Sequence, residues 1–283
     1  MKIGVFGINT GPCATPETAA KVARAAEAAG FESVWTGEHV VLPDPQAPPS
    51  PAPPRHPMLD PAVALAFLAA HTRALRLATG IIILPQRNPV VLAKELASVD
   101  VLSQGRLICG VAAGYLKPEF DAVGASFGDR GARADEYIDA LRVLWTAEQP
   151  RFAGKTVRFA GIDAHPRPVQ KPHPPLVVGG TSRAAFARSV LRGNGWYGFL
   201  RDLATTEADL AGLAAAGRES ARPAALGALE VSVTPPPRTD LDLARRYQDL
   251  GVDRLVLLPH ARDEGTLLRW VDETAEALVR KVG

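Results

Sequence analysis

Two short segments of the chain carry residue types from which an active site could be built. The first is the pair Glu38 and His39, which directly follows an apolar segment that predicts a strand. Histidine exchanges protons near neutral pH, so His39 could donate a proton or hydrogen-bond a bound ring, or it could only bond a loop carbonyl. Glu38 could bind a polar ring edge or pair with an arginine. Both are therefore catalytic candidates.

The second segment is Gly179–Ser182, a Gly-Gly-Thr-Ser sequence that follows an apolar strand and precedes a helix. Unpaired backbone N–H groups at a helix N-terminus bind anions, and glycine lets an anion approach them closely. Ala113 and Gly114, which end a neighbouring strand, could add further donors. The segment predicts a phosphate-binding site, with an ordinary strand-to-helix turn capped by Ser or Thr as the alternative. The P-loop pattern does not occur.

Charge and motif content exclude several classes of function. The 32 basic and 30 acidic residues give a net charge of +2, which offers no electrostatic basis for binding nucleic acid or an anionic membrane. Neither a metal-binding HxH or HExxH spacing nor a GxSxG motif occurs, so the sequence predicts no metal site and no covalent hydrolysis. Cys13 and Cys109 are too few for a disulfide framework. We therefore expect reduced thiols, no membrane span and a cytoplasmic protein.

The elements that must position these residues alternate between strands and helices. Residues 75–114 show the pattern most clearly: an apolar strand, a helix that begins at Asn88-Pro89, and a second apolar strand that ends in glycine. Eight such units predict an α/β fold, a (β/α)8 TIM barrel with insertions, in one domain of residues 1–283, with a doubly wound sheet as the alternative. A short hairpin is expected within Phe152–Phe159. The predicted strands are Lys2–Ile8, Phe31–Gly37, Leu75–Leu84, Leu107–Ala113, Pro175–Val178, Gly195–Phe199, Leu226–Thr234 and Arg254–Leu258.

TIM-barrel enzymes build their active sites on the loops that follow the strands. Both candidate segments lie at such positions, and the same edge carries Asn9, Trp196 and His260. The proline-rich loop 43–57 and the connection 115–129 are predicted to line the substrate pocket.

Residues 79–145, TGIIILPQRNPVVLAKELASVDVLSQGRLICGVAAGYLKPEFDAVGASFGDRGARADEYIDALRVLW, resemble the bacterial luciferase-like family. The run looks most like the branch of oxidoreductases that use coenzyme F420, a deazaflavin. Its most specific parts are LSQGR with the following GV, and the RGxRxDE stretch at Arg130–Glu136. The segments FESVWTGEHV, PPLVVGG and GNGW fit as well. The resemblance implies a luciferase-like TIM barrel that forms a homodimer.

The resemblance also implies roles for individual residues. A cis peptide bond between Gly80 and Ile81 would form a bulge behind a tricyclic ring. A Glu that follows the strand-four glycine serves as proton donor in the sugar-phosphate dehydrogenases of the family, and this chain has Tyr115 there. The acid would then be His39 or Tyr115, which with Glu38 form the predicted catalytic set. The predicted cofactor-binding set, which includes the strand-end residues Ala112 and Trp196, is Glu38, His39, Gly80, Ile81, Ala112, Ala113, Gly114, Gly179, Gly180, Thr181 and Trp196.

Three functions follow as hypotheses. The first is an oxidoreductase that transfers a hydride between coenzyme F420 and a small organic substrate, because the deazaflavin is restricted to two-electron chemistry. The second is an FMN-dependent luciferase-like monooxygenase, because those enzymes share the scaffold. The third is a non-catalytic flavin- or deazaflavin-binding protein, which the missing strand-four acid favours. F420 ends in a long acidic tail, so an open phosphate end with Arg183 or Arg188 nearby would favour F420 over FMN.

Overall fold

The computed structural model describes residues 1–282, and its strands form a closed parallel barrel. The chain begins with β1 (Lys2–Phe6), which pairs with β2 (Ser33–Thr36) on one side and with the last strand, β11 (Arg254–Leu257), on the other. The circle closes where β3 (Arg76–Thr79) pairs with β5 (Leu107–Ala112). The barrel segments are β1 (Lys2–Phe6), β2 (Ser33–Thr36), β3 (Arg76–Thr79), β4 (Ile82–Ile83), β5 (Leu107–Ala112), β8 (Leu176–Gly179), β9 (Gly195–Gly198), β10 (Glu230–Val233) and β11 (Arg254–Leu257).

Helices surround the barrel and connect its strands, so the predicted (β/α)8 architecture is confirmed. Many of them begin at a side-chain cap, such as Asn88, Ser182 and Asp240, whose oxygens accept hydrogen bonds from backbone N–H groups of the first turn. The α-helices are α1 (Pro16–Ala28), α2 (Pro61–His71), α3 (Pro89–Leu102), α4 (Lys117–Ala122), α5 (Arg130–Thr146), α6 (Arg183–Arg192), α7 (Leu203–Glu219), α8 (Leu241–Asp249) and α9 (Glu264–Thr274).

The third barrel strand differs most from its prediction, because it is broken. The continuous strand predicted over Leu75–Leu84 is two pieces, β3 and β4, which both pair with β5. The cis peptide bond expected between Gly80 and Ile81 lies at the break. Opposite the break, β5 has Gly110, where any Cβ would overlap the carbonyl oxygen of Thr79. The Thr79 hydroxyl in turn donates to the Gly110 carbonyl at 2.7 Å, so the break is packed closely against β5.

Smaller differences concern the ends of elements. The strand predicted over Leu226–Thr234 is confined to β10, and a short 3-10 helix, Ala224–Leu226, precedes it. The hairpin in the excursion after α5 is confirmed as the antiparallel pair β6 (Phe152–Ala153) and β7 (Arg158–Phe159). The connection 115–129 contains α4, which sequence periodicity could not reveal because the helix has only six residues.

The amino-terminal end of the barrel is filled by an ion cluster. The buried guanidinium of Arg254 donates to both Glu32 oxygens, each at 2.9 Å, to Glu230, and to the Ser232 hydroxyl at 3.0 Å. Above it the barrel interior is packed with apolar side chains, among them Trp35 and Tyr197, whose rings lie 5.0 Å apart. A packed interior leaves the carboxyl end of the barrel as the place for a ligand.

Candidate active site

A cavity of about 1180 Å³ lies at the carboxyl ends of the barrel strands. Pockets for small molecules and cofactors typically measure about 300–1,000 Å³, so there is room for a cofactor together with a substrate. The cavity brings together the predicted catalytic and cofactor-binding sets with one exception, which is described below. The predicted residues in its lining are Glu38, His39, Gly80, Ile81, Ala112, Ala113, Gly114, Tyr115, Gly179, Gly180 and Thr181.

Glu38 is buried beneath one wall of the cavity, and its oxygens are already occupied. Oε2 accepts a hydrogen bond from the backbone N–H of Ile83, and Oε1 accepts from Nε of Arg87 at 2.9 Å and from its Nη2. Burial raises the pKa of the Glu38 carboxyl, and Arg87 and the Ile83 N–H oppose that rise. Of the two predicted interactions, Glu38 makes the pair with an arginine, and it thereby fixes β4.

Arg87 was not among the predicted site residues. Two carboxylate partners determine its position. Besides Glu38 it binds Asp60, the N-cap of α2, with Nη2 2.6 Å from Oδ2. Burial would lower the pKa of Arg87, but Glu38 and Asp60 together raise it. The guanidinium therefore stays charged and joins the loop after β2, the start of α2 and the end of β4.

His39 lies between a carboxylate and a phenol. Its Nδ1 is 3.2 Å from Oε2 of Glu119, and its Nε2 is 3.4 Å from the hydroxyl of Tyr115. Glu119 is fully buried, and its Oε1 accepts from the backbone N–H of Val40 at 2.5 Å. Burial and the nearby Glu119 carboxylate raise the pKa of Tyr115. Glu119 was not among the residues predicted from the sequence, because it lies 80 residues from His39 and becomes its neighbour only through α4.

The glycine-rich turn after β8 leads directly into α6, as predicted. The Ser182 side chain caps that helix by accepting from the Ala185 N–H, and Gly180 takes a positive φ of 117° that suits glycine. Arg130 and Arg188 lie in the lining of the same cavity: Arg188 is on α6, and it donates to the carbonyl of Gly131, the neighbour of Arg130. Cations beside exposed helix N–H groups create a site for a phosphate or carboxylate.

The two arginines are held by different contacts. Arg130 donates from Nε to the Gly114 carbonyl at 3.1 Å and stacks on Phe127 at 3.9 Å from the ring centroid. Arg188 is buried and donates to Asp135 at 2.7 Å and to the Gly131 carbonyl at 2.8 Å. The RGxRxDE stretch noted in the sequence therefore supplies Arg130 as a lining residue and Asp135 as the anchor of Arg188.

The opposite half of the cavity, formed by the loops after β1, β2, β9 and β11, is mainly apolar. Its charged groups have partners within the protein: Arg201 binds Asp209 at 2.6 Å, and His56 bonds Thr10. The proline-rich loop contributes to this half as expected, and a β-bridge between Thr10 and Met58 ties it to the loop after β1. Apolar lining residues of this half include Phe6, Pro12, Pro51, Met58, Phe199 and Leu258.

Trp196 is the exception among the predicted cofactor-binding residues. Its side chain is completely buried, and its indole N–H donates to the Gly180 carbonyl at 2.8 Å. It supports the glycine turn from below and does not line the cavity, because its strand directs it into the core. Asn9 is also buried, where its amide bonds both the N–H and the carbonyl of Gly37.

Other features of the chain bear on site chemistry. Within residues 1–282 no cluster of three His, Cys, Asp or Glu residues could hold a metal ion. Cys13 and Cys109 are buried and free, and burial raises the pKa of both thiols. In the same part of the chain, no helix has the length and apolar character that crossing a bilayer requires.

Replacement of Arg87 should reveal the buried charge on Glu38. In Arg87→Met the carboxyl loses the group that opposes its raised pKa, and an unpaired buried charge costs about 3–5 kcal/mol. An acid whose folded-state pKa is raised destabilises the fold above that pKa and ceases to do so once it is protonated. The loss of unfolding free energy in urea should therefore be larger at pH 8 than at pH 5.

Two further variants control this measurement. Arg183→Met removes an arginine that is 83% exposed and pairs with Glu219 on the surface, so its effect should stay below about 1 kcal/mol. The double variant Glu38→Gln/Arg87→Met should regain part of the lost stability at pH 8. An equal loss for Arg87→Met at both pH values would contradict the assignment.

Known proteins resemble this chain in both sequence and structure. An uncharacterised protein of Mycobacterium tuberculosis, Rv0953c, is 32% identical over 275 residues, which cover 92% of this chain and 94% of that protein. An FMNH2-dependent dimethylsulfone monooxygenase of Pseudomonas putida is 37% identical over 121 residues, 42% of this chain and 33% of that enzyme. The solved coenzyme F420-dependent tetrahydromethanopterin reductase of Methanopyrus kandleri superposes with a TM-score of 0.79 at 14% identity, covering 100% of this chain and 99% of that one.

The model of the luciferase-like monooxygenase family matches residues 1–276. That match spans the barrel, the broken third strand and every lining residue of the cavity. The family resemblance expected from residues 79–145 is thereby confirmed, and the chain belongs to the luciferase-like monooxygenase family.

Proposed function

We propose that this protein is an F420-dependent oxidoreductase that transfers a hydride between the cofactor and a small organic substrate. The observation that carries the proposal is the division of one cavity into two unlike halves. One half has the α6 N-terminus with Arg130, which donates to the backbone carbonyls of Gly114 and Phe127, and the other half is apolar. Between them, Ile81 at the break of the third strand and the His39–Tyr115 pair face the same space.

The residues present fit such a cofactor. At Gly114 a Cβ would lie 2.5 Å from Ile83 Cγ2 and 2.8 Å from Phe120 Cε2, so the turn after β5 accepts only glycine. Ile81 offers an apolar wall for a flat ring, and the turn after β8 offers donors for a phosphate. Residues 180–184 are exposed, so an acidic tail attached to that phosphate would continue into solvent. When bound, F420 would supply the ring carbon that exchanges the hydride.

Cofactor choice can be measured by quenching of tryptophan fluorescence, with F420 and FMN titrated in parallel. We expect F420 to bind more tightly than FMN. Arg130→Met should weaken F420 binding about tenfold or more, because a charge-assisted hydrogen bond contributes about 1.5–3 kcal/mol. The control is Arg280→Met, whose side chain is exposed, pairs with Glu276 and lies outside the cavity, and it should bind F420 as the unaltered protein does.

Tighter binding of FMN would instead support the second candidate function, an FMN-dependent monooxygenase. The similarity to the dimethylsulfone monooxygenase over 121 residues favours this candidate. Oxygen uptake with reduced FMN would then be the deciding assay. Absence of binding by both cofactors would overturn both functions, and cofactor binding without turnover would leave a non-catalytic binding protein.

The apolar half of the cavity, formed by the loops after β1, β2, β9 and β11, favours binding of an uncharged substrate. Its charged side chains are paired with other protein groups, so a charged substrate would lose water without gaining a partner. The rings of Phe6 and Phe199, 4.9 Å apart, form an aromatic surface there. We therefore propose a small neutral organic substrate with an apolar body.

Benzamide and benzoate, which have similar shapes and different charges, test this proposal. We expect benzamide to bind the apolar half and benzoate to bind more weakly, as measured by saturation-transfer NMR on the cofactor-free protein. Leu200→Lys adds an unpaired cation at a half-exposed lining position and should reverse the preference. Stronger binding of benzoate to the unaltered protein would contradict the proposal.

We further propose that the chain forms a homodimer through the outer face of α2. This helix contains only apolar residues before His71, and on its outer side Val63 is 68% exposed and Phe67 37% exposed. Val91, on the adjacent α3, extends the apolar surface. A second copy of the same surface is the occupant that would bury it.

Light scattering coupled to size exclusion tests the dimer. The unaltered protein should elute as a dimer, and Phe67→Asp should shift it to the monomer because the substitution places a charge in the interface. Ile162→Asp, which alters an exposed apolar residue of the excursion after α5, should remain dimeric. A monomeric unaltered protein would contradict the proposed dimer.

A further inference from the structure

We propose that Glu119 is a positioning residue that holds His39 in one tautomer and thereby directs the lone pair of Nε2 to the Tyr115 hydroxyl. The use of this arrangement in catalysis rests on the proposed oxidoreductase function. The arrangement itself is present in the protein without cofactor. Glu119 was not among the candidate residues predicted from the sequence. It lies on α4 and not in the turn directly after β5.

Glu119 is held in place by contacts that leave little freedom. Its side chain is fully buried, its Oε1 accepts from the Val40 N–H at 2.5 Å, and its Oε2 lies 3.2 Å from His39 Nδ1. The neighbouring Phe120 is buried and packs edge-on against Phe127, with ring centroids 5.2 Å apart. The short helix is therefore anchored, and the carboxylate cannot turn away from His39 without leaving Val40 unpaired.

The tautomer of His39 follows from these contacts. A carboxylate oxygen accepts hydrogen bonds, so the nitrogen that faces it, Nδ1, carries the hydrogen. Nε2 then has a lone pair, which can accept from the Tyr115 hydroxyl at 3.4 Å. The raised pKa of Tyr115 is consistent with this order, because the phenol keeps the proton that it donates.

This chain of groups can move one proton between the cavity and the protein. When a substrate alcohol is oxidised to a carbonyl, the hydride of its C–H bond would be accepted by oxidised F420, as in the proposed function. Its O–H bond breaks, and the proton passes to Nε2, either directly or by exchange through the Tyr115 hydroxyl. An N–H bond forms at Nε2, and the positive charge of the imidazolium faces the Glu119 carboxylate. In the reducing direction the same proton returns to the substrate oxygen.

The other carboxylate and histidine in the cavity lining do not carry this proton, because they are bonded within the protein. Among the residues that line the cavity within the described chain, Glu38 is the carboxylate, and Arg87 and the Ile83 N–H occupy its oxygens. His56 is bonded to Thr10. Proton transfer near neutral pH therefore depends on His39 and Tyr115, with Glu119 setting their orientation.

The tautomer can be observed directly by 15N-detected NMR of the histidine side chains, recorded on cofactor-free protein at about pH 9, well above the ordinary histidine pKa of about 6.5. The His39 signal is identified by its loss in His39→Asn. In the unaltered protein we expect the hydrogen on Nδ1, whereas a histidine free in water favours Nε2.

Glu119→Gln should reverse this tautomer without breaking the local structure. Because the Val40 N–H still requires an acceptor, the amide oxygen of the variant stays at the Oε1 position, and its NH2 group must face His39 Nδ1. That nitrogen then has to accept, so the hydrogen moves to Nε2. Tyr115→Phe should leave the hydrogen on Nδ1, because the contact with Glu119 is intact.

The matched control is Asp121→Asn, on the same short helix, where the carboxylate is exposed and pairs with Lys117. It should leave the His39 signal unchanged. An Nε2-protonated His39 in the unaltered protein, or an unchanged tautomer in Glu119→Gln, would overturn the proposal. These results are obtained without cofactor, so failure of F420 binding would leave them unaffected and would refute only the proposed function.

Discussion

The buried carboxylate of Glu38 is the constraint on which the rest of the site depends. It accepts from the Ile83 N–H on β4 and from Arg87 just beyond, and so it fixes the segment that follows the break in the third strand. Without a fixed β4, Ile81 would have no defined position in the cavity wall. A charge in the protein interior requires such complete pairing, and the pairing in turn allows only one arrangement of the chain around it.

The same constraint explains two glycines, Gly110 on β5 and Gly114 in the turn that follows β5. Gly110 lies against the Thr79 carbonyl where the third strand breaks, and Gly114 lies against Ile83 and Phe120 where the cavity begins. Because Phe120 belongs to α4, the close approach at Gly114 also sets the position of that helix. Glu119 precedes Phe120 and reaches His39 for this reason. A single packed contact thus connects the broken strand with the orientation of the histidine.

The parts of the site that could be predicted are those that depend on local sequence. Strand-to-helix turns have Gly, Ser, Thr and Asn at defined positions, so the Gly179–Ser182 turn, the α3 cap at Asn88 and the strand-end position of His39 were all evident. The interactions that were missed join residues far apart in the chain: His39 and Glu119 are 80 residues apart, and Glu38 and Arg87 are 49 apart. Local patterns contain no information on such pairs.

The tyrosine at position 115 leaves the turn after β5 without a carboxylate, and the proposed mechanism uses a different arrangement. A carboxylate at position 115, directly after Gly114, would face the cavity and could give its proton to a substrate. Here the carboxylate lies four residues later, on the first turn of α4, where it is fully buried and meets His39. A buried carboxylate cannot reach the substrate, but it can stabilise an imidazolium. In the proposed mechanism, the proton that one side chain would have supplied would be carried by Tyr115 and His39, and Glu119 would orient them.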